Sequence, residues 1–108
     1  MKIGIVLQSN KLEHVWNTFR FANTALKTGH SVQMVLMSEG VEAEDLMDTP
    51  EFDISKKIEE FKNLAGVLLA CESCLNIRSK NGSKICPVTT MVDLLKIVEE
   101  SDKTLVFG

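Results

Sequence analysis

The sequence has no apolar run that approaches the roughly 20 residues of a membrane span. Its first apolar stretch, residues 3–7, is too short for a secretory h-region and has no small-residue cleavage site behind it. A soluble, cytoplasmic protein with no membrane partner is expected. A basic excess is also missing: 12 Lys and Arg stand against 15 Asp and Glu, for a net charge of -3. That balance argues against a general nucleic-acid binder, so no direct nucleic-acid contact is expected. Glycine is absent from Gln8-Ser9-Asn10-Lys11, which leaves no phosphate-cradling loop after the first apolar run. Histidine is scarce, only His14 and His30, and no Ser/His/Asp set stands out. Internal repeats, low-complexity tracts and domain linkers are absent as well.

Cysteine is sparse rather than absent, with three residues, Cys71, Cys74 and Cys86. In a reducing compartment these are not a disulfide framework. They point to packing, redox chemistry, metal binding or nucleophilic chemistry. A structural metal site wants four ligands, and the two histidines lie far away in sequence, so no metal and no cofactor is expected. Cys86 is expected to be buried.

What is present is ordinary for a globular domain: 44% hydrophobic and 25% charged residues in 108. Residues 1–108 read as one domain, able to bury roughly two thirds of its unfolded surface. Ile3 to Leu7 is continuous rather than alternating, the pattern of a strand buried on both faces. Leu12, Val15, Trp16, Phe19, Ala22 and Leu26 recur at helical spacing and predict a helix over 11–28, with Trp16 and Phe19 in the core. Gly29 stops it as a residue that accepts a left-handed conformation. A second strand follows over 32–37, completing a right-handed unit of two parallel strands and a helix.

Residues 39–53 hold seven acids and no Lys or Arg. The stretch reads as a solvated loop and short helix, or as a docking surface for a basic partner. Ile54, Ile58, Phe61 and Ala65 mark a second helix over 54–64. Residues 67–70 form the third strand, 72–78 a short helix, and 79–83 a loop by composition. Ile85 to Val88 is a short fourth strand or an extended joint, because Pro87 disfavours helix for Cys86. Thr90 caps the next helix, with Asp93 three residues on, and Met91, Leu94, Leu95 and Val98 form its expected buried face. Residues 103–107 are the last strand. The pattern predicts an α/β fold, a three-layer α/β/α sandwich around a mostly parallel sheet of four or five strands. Strand order is not readable from it.

The chemistry concentrates in Val67 to Arg78. In small α/β domains, sites gather at the carboxyl ends of buried strands, and here such a strand ends on Cys71. Only thiolate is nucleophilic, and an unperturbed thiol is about 3% ionised at pH 7. A helix opening at Glu72 would favour the anion at Cys71. Arg78 would add positive charge if the segment folds back, and Glu72 opposes the effect. Cys71 reads equally as a small apolar residue finishing a strand. Cys74 completes a C-x-x-C pair, the arrangement of thiol–disulfide exchange sites, and reads as a resolving thiol or as packing beside Leu75.

Taken together, certain residues resemble the DsrE-like family over nearly the whole chain. They are Trp16-Asn17, Phe21-Ala22, Gly29-His30, Glu39 to Glu42, Ala70-Cys71, Cys74-Leu75, Arg78, Cys86-Pro87, Thr90-Met91, Asp93-Leu94 and Ser101 to Lys103. The resemblance implies an α/β sandwich and the carriage of sulfur as a cysteine persulfide, passed between donor and acceptor proteins. It implies a homo-oligomer, often a trimer or hexamer. By its place after the third strand, the sulfur-bearing cysteine resembles Cys71; Cys74 departs from the DsrE and TusD pattern as part of a C-x-x-C variant. The leading expectation is therefore a sulfur carrier using Cys71, Cys74 and Arg78. A dithiol redox protein and a non-catalytic oligomeric interaction subunit are the alternatives.

Overall fold

The computed structural model describes residues 1–108. Strand β1 spans Lys2–Leu7, helix α1 Leu12–Lys27 and strand β2 Ser31–Leu36. A 3-10 helix at Ser38–Asp45 precedes α2, Ile54–Asn63. Strand β3 is Val67–Cys71, and α3, Glu72–Ile77, follows without a break. The chain closes with β4 at Val88–Thr89, α4 at Met91–Glu100 and β5 at Lys103–Phe107. The five strands form one sheet in the order β4-β3-β2-β1-β5, every pairing parallel. This is the three-layer α/β/α sandwich expected from the sequence.

The order explains the layers. A right-handed crossover puts its helix on a face set by the direction in which the chain moves across the sheet. From β1 to β4 each step goes the same way. From β4 to β5 the chain jumps back past β3, β2 and β1, so α4 lies alone on the opposite face. The main core sits on the other side, where Ile3, Ile5 and Leu7 of β1 and Val32, Met34 and Leu36 of β2 meet Val15, Phe19, Ile58 and Phe61. Phe19 and Phe61 join α1 to α2 edge to face, with ring centroids 5.5 Å apart. Such aromatic pairs add to the burial of both rings.

Helix boundaries follow local chemistry. Gly29 adopts φ 94° just past α1, the left-handed turn that ends helices. The Thr90 hydroxyl accepts the Asp93 N–H at 3.3 Å and caps α4. Helix α2 ends earlier than its pattern implies, since Ala65 turns left-handed at φ 66° and is exposed. The short fourth strand falls at Val88–Thr89, just beyond Pro87.

The buried face of α4 needs correcting. Ile97 is its one buried residue, and Leu94 is half-buried. Met91 and Leu95 are each 59% exposed, with Val98 also exposed. The face that meets the sheet is Leu94, Ile97 and Ser101, and a Cβ on Gly4 would lie 2.8 Å from the Ser101 Oγ and 3.4 Å from the Ile97 Cγ2. Gly4 thus lets α4 approach β1 closely, and that approach selects one helix stripe over its apolar neighbour. The unused stripe looks outward.

Candidate functional site

The carboxyl ends of β1, β2 and β3 lie side by side, and the site is built across them. Cys71 is the last residue of β3 and pairs with Thr89 of β4. The alternation of β3 sends Leu68 and Ala70 into the main core, which turns Cys71 toward the face that α4 covers. It is only 6% exposed. Burial pushes its thiol above the ordinary range, while the backbone N–H groups of Cys74 and Ser73 pull the other way and the neighbouring Cys74 sulfur adds to the rise. Loss of solvation disfavours the thiolate, so Cys71 is a protected thiol in the resting protein.

Cys74 sits one turn into α3 and is half-buried. Its Sγ accepts the backbone N–H of Ser38 at 3.2 Å. Ser38 opens the 3-10 helix two residues past the end of β2, and it holds φ 52°, a left-handed conformation that a residue with a Cβ adopts at some cost. Its hydroxyl meets the Gln8 Oε1 at 3.4 Å. The turn therefore presents an amide to a sulfur, at the junction of three strand ends. The two thiols of the C-x-x-C pair are in near contact.

Arg78 is brought to the same place but not to a sulfur. Its Nε donates to the Glu42 Oε2 at 2.8 Å, and its Nη1 donates to the Cys74 carbonyl at 3.1 Å. The guanidinium acts as a brace: Arg78 ties the Cys74 backbone to the 3-10 segment. Glu42 also accepts from the Asn10 Nδ2 at 3.4 Å. The bond from Arg78, followed by that from Asn10, holds the Glu42 carboxyl below its usual range.

Further contacts stitch the acidic segment to the chain after α3. Lys80 pairs with Asp45, and the Ser83 hydroxyl meets both carboxylate oxygens of Glu44 at 3.0 Å. Nearer α2, Ser55 bonds Asp48 through its backbone and hydroxyl, and the Trp16 Nε1 donates to the Asp53 Oδ1 at 2.9 Å. Most acids of residues 39–53 are thus spent on internal contacts, which favours the solvated-segment reading over a docking surface for a basic partner. Gly40 lets the segment cross the end of β1, since any Cβ there would overlap the Leu7 carbonyl oxygen.

Cys86 takes no part in the pair. It is 1% exposed, and burial, aided by the Glu44 charge, pushes its thiol up to about 12. Neither histidine bonds a cysteine. His30 meets the N-terminal amine at 2.9 Å, and the His14 Nδ1 lies 2.9 Å from the Ser9 Oγ.

The comparisons with known proteins agree with this architecture. A profile of the DsrE/DsrF-like family matches residues 1–107. The chain belongs to the DsrE/DsrF-like family. It is 30% identical over 101 residues to "Uncharacterized protein MJ0989" of Methanocaldococcus jannaschii, covering 88% of each protein. The crystal structure of the ychN protein from E. coli superposes with a TM-score of 0.88 over 99% of both chains, at 22% identity. That likeness establishes the fold. As a DsrE/DsrF-like domain, the chain has no helix long and apolar enough to cross a membrane.

Sequence reasoning singled out the cysteine pair and Arg78; the fold sets Ser38, Gln8 and Glu42 beside them, which it had not singled out as site residues. Ser38 is signalled only by its place, immediately after the second strand and on the edge shared with Cys71. Glu42 was hidden among seven acids.

Proposed function

We propose that this DsrE/DsrF-like protein is a sulfur carrier that holds a persulfide on its C-x-x-C pair. Cys74, rather than the buried Cys71, is the thiol that meets a donor. The observation that carries this reading is the Ser38 N–H on the half-buried Cys74 sulfur at 3.2 Å. That donor holds the sulfur in a fixed orientation at the junction of three strand ends, and Cys74 is the less buried thiol of the pair, the one a partner can reach.

Loading is a transfer of sulfane sulfur. The Cys74 thiolate attacks the terminal sulfur of a donor cysteine persulfide. A new S–S bond forms at Cys74, the donor's S–S bond breaks, and the donor leaves as thiolate. Delivery reverses the roles: an acceptor thiolate takes the terminal sulfur and Cys74 is the leaving thiolate. Alternatively Cys71 attacks the Cys74 Sγ, closing a disulfide and expelling hydrosulfide. No cofactor is required. A cytoplasmic setting, which keeps thiols reduced, belongs to this reading, with donor and acceptor proteins as partners.

A homo-oligomer, trimer or hexamer, is part of the same proposal. Its support is the apolar surface that α4 leaves open: Met91, Val92, Leu95 and Val98, with Val106 of β5 62% exposed. Apolar patches of this kind mark protein contacts.

Intact mass spectrometry after exposure to a persulfide donor tests the carrier. Wild type and Cys71→Ser should gain one sulfur atom, and Cys74→Ser should not. Gain of sulfur in Cys74→Ser but not in Cys71→Ser would return the role to Cys71, and no gain in any variant would refute sulfur carriage.

A further inference from the structure

The Cys74 sulfur does more in this fold than stand ready for chemistry, because the 3-10 segment hangs on it. Four residues of that segment are joined to α3 and the chain that follows: Ser38 to Cys74, Glu42 to Arg78, Glu44 to Ser83 and Asp45 to Lys80. The first of these fastenings is the one whose acceptor changes with oxidation state. It also holds the most constrained residue, since Ser38 keeps a left-handed φ of 52°, where the turn depends on its surroundings.

We propose that the C-x-x-C pair is a redox latch on residues 38–45, so that closing a Cys71–Cys74 disulfide releases the acidic segment from the carboxyl edge of the sheet. The step is an exchange with a low-molecular-weight disulfide. One thiolate of the pair attacks it and expels one small thiolate; the second then attacks the mixed disulfide and expels the other. One protein S–S bond forms, the reagent's S–S bond breaks, two electrons pass to the reagent, and the thiol protons go to the two departing thiols.

In the product the Cys74 Sγ is bonded to Cys71 and is drawn toward β3. The 3.2 Å contact with the Ser38 N–H depends on where that sulfur sits, and the displacement breaks it. The Ser38 N–H then lacks its partner, and the strain of the turn is no longer offset. Movement of Cys74 also pulls its carbonyl from Arg78, which loosens the hold on Glu42. The proposal stands apart from sulfur carriage, since it needs only the two thiols and an oxidant.

Hydrogen–deuterium exchange of the full chain tests it, with intact mass reporting loss of two hydrogens in the oxidised sample. Amides of residues 38–45 should exchange about tenfold faster in the disulfide form, the scale of one lost hydrogen bond. Those of α1 and β2 should not change. A dithiol reductant should restore the slow exchange. Reduced Cys74→Ala should show the fast exchange from the start, with no further effect of oxidant. Failure to form the intramolecular disulfide, unchanged protection of 38–45 in the disulfide form, or slow exchange in Cys74→Ala would each overturn the latch.

Discussion

Arg78 holds Glu42 at 2.8 Å and the Cys74 carbonyl at 3.1 Å with one guanidinium. One side chain thus sets the spacing between the acidic segment and the helix that carries Cys74. Because Glu42 is held below its ordinary value near 4.5, its ion pair contributes stability above that pH. The contribution is lost as pH falls through the lower value it has in the folded chain. Urea unfolding of wild type and Glu42→Gln should therefore differ by a constant amount from neutral pH down to about pH 5, with the gap closing in stronger acid. A gap that widened toward acid would contradict the pairing.

Arg78 supplies a fork rather than a point charge, and that distinction is testable. Lysine keeps the charge but cannot bond a carboxylate and a carbonyl at fixed geometry. Arg78→Lys should therefore behave like Arg78→Met in loosening residues 38–45, read as a several-fold rise in their amide exchange. A lysine variant with wild-type protection would show that charge alone suffices.

Gly40 is the other control on this segment. A methyl group there would overlap the Leu7 carbonyl oxygen, a backbone atom that cannot swing aside. Gly40→Ala should cost about 3 kcal/mol in chemical unfolding, in the range of strongly destabilising substitutions. Ser38→Gly should be tolerated, because glycine adopts a left-handed φ without penalty. Equal stability of Gly40→Ala and wild type would mean that the segment does not rest on β1 as described.

The fold was legible because continuous apolar runs such as Ile3 to Leu7 mark buried parallel strands. The stripe through Val15 and Phe19 likewise marks a helix lying on them. The exposed side of α4 was not legible, since Met91, Leu95 and Val98 have helical spacing as good as that of Leu94 and Ile97. Only strand order, with its single reversed crossover, leaves α4 alone on its face, and Gly4 decides which stripe it uses. At the site, the cysteine pair announced itself by spacing after a strand. The role of Ser38 was invisible because it belongs to a backbone amide 36 residues away.

Cys86 offers an internal standard for thiol reactivity. Buried and pushed up to about 12, it should resist alkylation in the native protein at pH 8 while Cys74 reacts, and all three thiols should react after denaturation. Its raised value also gives a sign. The folded chain keeps the proton that the unfolded chain loses above the ordinary thiol value of 9.0. The stability this contributes is fully present below that pH and is lost as pH rises toward about 12. Cys86→Ala should be less stable at neutral pH because it leaves a small void, and its stability should fall less steeply than wild type over the alkaline range. Fast native alkylation of Cys86 would contradict its burial.

The open face of α4 yields the last prediction. Leu95 and Val98 are exposed while Ile97 is buried on the sheet, so charges at these positions should act differently. Leu95→Asp with Val98→Asp adds charge where only a second copy of the chain would be affected. If the homo-oligomer uses this face, the double variant should sediment as a monomer at concentrations where wild type is assembled, with its circular dichroism unchanged. Ile97→Asp places a carboxylate inside the layer, against Gly4, and should unfold the domain itself. A monomeric wild type, or a double variant that still assembles, would remove this face from the interface. A folded, assembled Ile97→Asp would show that α4 does not seat on β1 through that residue.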